Sequence, residues 1–270
     1  MYNLKTKINL TPNTSQKNQK LDEKTMITLI GTGHVFNLSE ALLNIFDEKQ
    51  PDIICIELDK QRYNAMMLKQ SDPEKYQESS KDQPVIYRLL ARFQDGMADE
   101  YGVQAGEEML TAVNYAQSHQ LPLAFIDMNA QALFSRMLKE MTFREKFRLM
   151  FSGFGGLFVS KKRVEKELEN IEGNFDVYIE QIGKKFPTIK RVLIDERNAF
   201  MVQQLATASE KYEKIIAVVG DGHIPGLSKL LEKKEISFET VRLSELRNDN
   251  NKSADPSNAN FTTRYQPPYL

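Results

Sequence analysis

The stretch Ile215-Ile216-Ala217-Val218-Val219-Gly220-Asp221-Gly222-His223 is a run of five apolar residues that ends abruptly in glycine-bracketed polar residues. A short, unbroken apolar run bounded by turn residues reads as a strand covered on both faces, as in a parallel sheet packed between helices. The same arrangement recurs along the chain. Residues 27–30 lead into Gly31-Thr32-Gly33-His34. Residues 53–56 lead into Glu57, then Asp59 and Arg62, and residues 123–126 lead into Asp127. Residues 238–241 are a fifth strand candidate. Helical patterns lie between these runs, at residues 39–48 with Ser39 as a cap, from Asp59 as a cap through Met67, across 85–119, and at 130–147. The alternation predicts an α/β fold with a mostly parallel central sheet of about four to five strands flanked by helices.

Residues 161–210 carry charge and helical spacing but no strand pattern. They predict a helical insertion, divided at Pro187, because proline is accepted at a helix start and not inside one. Residues 1–24 and 247–270 are rich in polar side chains and proline. Both read as tails too poor in apolar surface to offset the entropy of ordering, which leaves 25–246 as the domain.

The chain has 270 residues and a net charge of −1. That balance argues against nucleic acid as the default partner, since phosphate binding needs uncompensated Lys and Arg. The single cysteine, Cys55, excludes an internal disulfide and a Cys-cluster metal site. Residues 1–24 hold no signal-peptide core, and no apolar run approaches the roughly 18 residues of a membrane span. The expectation is a cytoplasmic protein without a transmembrane segment. Residues 149–159, apolar around Gly153, Gly155 and Gly156, are expected to be buried or to contact a second copy in a homodimer.

In open parallel sheets ligands bind beyond the carboxyl ends of the strands. That rule gathers His34, Glu57, Asp127 and His223 at one edge. Gly31, Gly33, Gly220 and Gly222 allow sharp turns and leave room there for a ligand, so these glycines and Asp127 are expected to line a substrate site. A phosphate loop is disfavoured, because neither a G-x-G-x-x-G run after the first strand nor a P-loop lysine is present. Glu57 reads as a strand-end residue aimed at the site, since Asp59 better serves as the helix cap. On a regular helix Glu196 shares a face with Ile189, Leu193 and Phe200. A core-facing carboxylate needs a partner, so a salt bridge and a site role both stand. Glu108, beside Met109 and Ala112, and Arg136, one turn after Ala132 and Leu133, are similar cases.

These blocks resemble the TraB/PrgY family, which is similar to the Tiki, GumN-like and erythromycin esterase-like proteins. The resemblance covers roughly residues 26–234. It is carried in order by Ile30 to Val35, by Pro51-Asp52 with Glu57 to Arg62, by Ala105 to Met109, by Asp127 with Arg136, by Asp195 to Asn198, and by Val218 to Gly226. Two residues depart from the pattern, Met128 where an Arg is usual and Asn129 where an Asp is usual. Relatives often carry C-terminal membrane helices, a feature without counterpart here. The resemblance implies metal-dependent peptide hydrolysis through the Tiki relatives, and peptide inactivation or sequestration through the pheromone-shutdown relatives.

The resulting expectation is a metal-dependent hydrolase acting on a peptide or amide bond. His34, Glu57 and His223 would hold a divalent ion. Two imidazoles and a carboxylate suit Zn, Mn, Co or Fe. Glu108 or Glu196 would act as general base, and Arg62, Arg136 or Arg197 would stabilise the oxyanion. The rival expectation is a regulatory protein that binds a peptide carboxylate through the same arginines without turnover.

Overall fold

The structure is a computed structural model that describes residues 25–33, 38–76, 106–156, 175–251 and 263–266. Its centre is one sheet built from β1 (Met26–Thr32), β2 (Ile53–Ile56), β3 (Leu123–Phe125), β4 (Lys214–Gly220), β5 (Phe238–Val241) and β6 (Thr263–Tyr265). The order across the sheet is β3-β2-β4-β1-β5-β6. The first five strands run parallel, as the apolar runs predict, and β6 adds antiparallel to β5. That last strand lies inside the segment read as a C-terminal tail.

The helices are α1 (Ser39–Lys49), α2 (Lys60–Ser71), α3 (Glu107–Ser118), α4 (Ala130–Glu140), α5 (Phe143–Gly156), α6 (Phe175–Lys185), α7 (Pro187–Lys190), α8 (Glu196–Ser209), α9 (Ile224–Lys233) and α10 (Leu243–Asn251). Side chains alternate across the sheet, so each strand feeds two cores. Ile30, Ile54, Ile56, Ile216 and Val218 pack with α1, α3 and α10. Ile27, Leu29, Cys55, Ala217 and Val219 pack with α8 and α9 on the other face. Each fully buried aliphatic side chain contributes roughly 1.5–3 kcal/mol, which is why these runs are mostly apolar. The buried exceptions Thr28 of β1 and Glu239 of β5 satisfy each other, Thr28 Oγ1 donating to Glu239 Oε1 at 2.9 Å. Burial also pushes the Cys55 thiol up to about 12, so it is an inert core residue. At the amino ends of the strands, Asp52 Oδ2 accepts from the backbone N–H of Glu213 (3.1 Å) and Lys214 (2.8 Å). The Pro51-Asp52 pair thus ties β2 to β4 at the edge opposite the strand-end residues.

Several local expectations are corrected. α1 begins at Ser39 with Leu38 as its cap residue, and the Ser39 hydroxyl instead bonds Thr111 Oγ1 at 2.9 Å. The helix predicted over 130–147 is two helices. Thr142 and Glu145 form a capping box, in which Glu145 N–H donates to Thr142 Oγ1 (3.3 Å) and Thr142 N–H to Glu145 Oε2 (2.9 Å), and this starts α5 afresh. Pro187 does divide the charged region, as the first residue of α7. Yet α8 belongs to the main fold, because Met201, Val202, Leu205 and Ala208 cover the sheet. In the 149–159 segment, Leu149, Met150 and Phe151 are exposed within the single chain, which corrects the burial half of the expectation, while the side chains of 152–156 and all of 157–159 lie outside the described residues. The predicted helical stretch at 85–119 is described only from 106 onward. No helix among the described residues is long and apolar enough to cross a membrane.

Candidate functional site

The parallel sheet brings the strand-end residues together. Glu57 follows β2 directly and its N–H donates to Val218 O of β4 (3.0 Å). Asp59 then caps α2, its Oδ1 accepting from Gln61 N–H (2.8 Å) and Arg62 N–H (3.1 Å). Asp59 Oδ2 accepts from Ala130 N–H of α4 (3.2 Å), so one carboxylate joins two helix starts. This leaves Glu57 free of capping duty, as its position predicts. Asp127 follows β3 by two residues, and His223 closes a 3-10 turn, Asp221–His223, after β4.

Arg197, in the first turn of α8, connects these groups. Its Nε donates to Asp127 Oδ1 (2.9 Å) and its Nη2 to Asp127 Oδ2 (2.8 Å), a bidentate fork, and Nη2 also donates to Glu57 Oε1. Glu57 Oε2 accepts from Gly220 N–H at 2.6 Å. Arg62 reaches the rim, with Nη1 3.6 Å from Asp127 Oδ2. His223 is buried. Its Nδ1 lies 2.6 Å from Asn198 Oδ1, and its Nε2 lies 3.4 Å from Glu57 Oε1. An amide oxygen at Nδ1 places the proton there and leaves Nε2 facing Glu57.

Electrostatics follow from this geometry. Burial raises the Glu57 pKa, but His223, Arg197 and the Gly220 N–H outweigh it and hold the carboxyl far below the usual range. Burial lowers the Arg197 pKa, yet Glu57 and Asp127 more than compensate, so the guanidinium stays charged.

The chain belongs to the TraB/PrgY/gumN family. The match runs over residues 17–240. An uncharacterised protein of Methanocaldococcus jannaschii is 30% identical over 214 residues, 77% of this chain and 54% of the relative. TraB domain-containing proteins of Homo sapiens and Mus musculus are each 22% identical over 246 residues, 77% of this chain and 63% of the relative. The chain therefore spans little more than half to under two thirds of these TraB relatives.

Within this TraB-family site the structure joins Glu57, Asp127, Arg197, His223 and Arg62. His34 lies outside the described residues, as do Val35 to Asn37. Among the described residues no three His, Cys, Asp or Glu side chains converge as a metal-binding group. Glu196 and Arg136 go elsewhere. Arg136 Nη2 bonds Glu196 Oε2, Arg191 Nη1 bonds Glu196 Oε1 (2.6 Å), and Arg191 Nη2 bonds Glu140 Oε2 (2.6 Å), a surface ion network between α4 and the segment before α8. The physical reason is a π-helical turn, Arg191–Asp195, in which Glu196 N–H reaches back to Arg191 O. It breaks the regular spacing that placed Glu196 on the apolar face, and it turns Arg197 inward. Glu108 is buried in the first turn of α3, across the sheet from α8.

The glycines divide by role. A Cβ on Gly31 would stand 2.2 Å from Asp221 Oδ1. Gly31 therefore makes room for Asp221, whose carboxylate accepts from Arg242 Nε (2.8 Å), Arg242 Nη2 (2.6 Å) and Leu243 N–H (2.9 Å). That is an architectural clamp between the ends of β4 and β5. A Cβ on Gly220 would lie 3.4 Å from Glu57 Oε2, so this glycine does line the site. Gly222 sits within the 3-10 turn, and Gly33 follows β1. Asn129 caps α4, its Oδ1 accepting from Ala132 N–H (2.8 Å), a task that the Asp usual at this place would serve equally. Asn198 and Gly226 support His223 and had no assigned role in the sequence reading. Their signal was the glycine three residues after His223. A Cβ on Gly226 would fall 2.1 Å from Asn198 Nδ2. Gly226→Ala is expected to push Asn198 off His223 and to cost about 1–3 kcal/mol by overpacking. Imidazole nitrogen shifts in NMR check this, and an unchanged His223 tautomer in the variant would contradict it.

Proposed function

We propose that this centre is a metal-dependent hydrolytic site acting on a peptide or amide bond. The observation that carries the reading is the pair His223 Nε2 and Glu57 Oε1, held 3.4 Å apart. Two donors about 2.1 Å from one tetrahedral ion stand roughly 3.4 Å from each other, so the pair fits a small divalent ion such as Zn. Arg197 and the Gly220 N–H both donate to Glu57 and favour its ionised form, the state a ligand needs, whether or not His223 is charged. Asn198 fixes the imidazole through its other nitrogen, as outer partners of metal-binding histidines do. His34, two residues beyond β1 in the sequence, would be the third ligand. Bound there, such an ion supplies Lewis acidity and a more acidic water. Arg197 and Arg62, flanking Asp127, would orient the substrate carbonyl or carboxylate and offset negative charge that develops on it. Asp127 holds the Arg197 fork in place for that task.

The test is metal content per chain, after dialysis against Zn, Mn or Co, for wild type, His34→Ala, Glu57→Gln and His223→Ala, together with cleavage of a peptide library. About one ion per wild-type chain, lost in most molecules of each variant along with cleavage, is expected. Full occupancy in His223→Ala would overturn the assignment. Cleavage without any ion would leave a metal-free His223–Glu57 hydrolase. A bound, uncleaved peptide would favour the regulatory, binding-only reading.

A further inference from the structure

α5 carries exposed large apolar side chains along one face. Phe143, Phe147, Met150 and Phe151 are spaced i, i+4, i+7 and i+8, which puts them on one stripe of the helix. They are 88, 56, 54 and 56% exposed. The rings of Phe147 and Phe151 touch each other, 4.3 Å between centroids. From Phe143 to Phe151 only Glu145 is buried. The helix is tethered at its start. Glu145 accepts from Thr188 N–H (2.8 Å) and Thr188 Oγ1 (3.0 Å), and Arg148 Nη1 donates to Lys185 O (2.8 Å). These contacts hold α5 with its aromatic stripe facing outward.

The charges beside that stripe select the occupant. Arg144, Lys146 and Arg148 flank it, and the one acidic side chain in the stretch, Glu145, is turned inward and consumed by hydrogen bonds. A two-fold contact between copies would bring this basic-flanked patch onto itself and oppose like charges. A surface of anionic lipid headgroups opposes them with phosphates, while the aromatic and Met side chains enter the acyl boundary. We propose that α5 docks the protein on anionic membrane surfaces as an interfacial helix, lying on the bilayer and not crossing it.

The experiment is sedimentation of the full chain with vesicles of phosphatidylcholine, or of phosphatidylcholine mixed with phosphatidylserine. Wild type is expected to bind the mixed vesicles, and to lose most binding in high salt or on phosphatidylcholine alone. Phe143→Ser/Phe147→Ser/Phe151→Ser should lower the bound fraction about ten-fold. Arg144→Glu/Lys146→Glu should lower it similarly on the mixed vesicles. Both variants change exposed positions, and circular dichroism checks that they fold. Equal binding by wild type and the triple Phe variant would overturn the proposal. So would a wild-type dimer that ignores vesicles and dissociates in the triple variant, which would make a second copy the occupant.

Discussion

Arg197→Met is expected to lose about 3–5 kcal/mol of stability, because it removes the shared cation from two buried carboxylates. For a chain of this size that is a fall of roughly 10 °C in Tm. Glu57 Oε1 and Asp127 Oδ2 both take hydrogen bonds from the same Nη2, so without it they face each other as like charges. Arg62, 3.6 Å from Asp127, is too near the rim to replace it. The sign of the pH dependence follows. In the variant one of the two carboxyls binds a proton more readily than it does in the unfolded chain. A raised folded pKa gives stability that is present at low pH and lost as pH rises through it. The gap between wild type and variant should therefore narrow between pH 7 and about pH 5. Thermal unfolding of both proteins at the two values is the measurement, and a gap that widens on acidification would count against a shared buried pair. Arg197→Lys should fall between them, since an ammonium keeps the charge and loses the planar fork.

The second large effect is at Glu145. This buried carboxylate accepts from Thr142 N–H and Oγ1 and from Thr188 N–H and Oγ1, which joins the starts of α5 and α7. Burial pushes its pKa up, but the two N–H groups and two hydroxyls outweigh that and hold it below the usual carboxylate range. Glu145→Gln puts an amide nitrogen among donors and is expected to cost about 2–3 kcal/mol at neutral pH. A depressed folded pKa contributes stability in full above the unfolded value, and that contribution is lost as pH falls through the folded one. Urea unfolding should therefore show the wild-type advantage intact at pH 6 and shrinking below about pH 4. An advantage that persists unchanged in strong acid would mean that the carboxylate charge is not what joins the helices. The loss should also free α5 from its tether at Thr188.

Much of this TraB-family chain was legible from local pattern. The five parallel strands followed from short apolar runs, because a strand covered on both faces admits few polar residues and the run ends where the strand does. Glu57 and Asp127 were legible for the same reason, as the first polar residues after β2 and β3, and His223 as the imidazole of the glycine-bracketed turn after β4, where a parallel sheet places its ligand edge. Asp59 was readable as a cap from its position ahead of a helical pattern. What the sequence could not decide lies in contacts between segments far apart in the chain. Glu196 and Arg197 are neighbours with opposite fates, one in a surface network and one in the site. The π-helical turn at Arg191–Asp195 separates them, and no residue spacing announces a single turn of altered pitch. Gly31 looked like room for a ligand, yet it makes room for a side chain, Asp221, 190 positions away, and Gly226, which no reading singled out, does the same for Asn198, 28 positions away. A glycine shows only that space is needed; which atom fills it depends on packing that arises after the chain has folded.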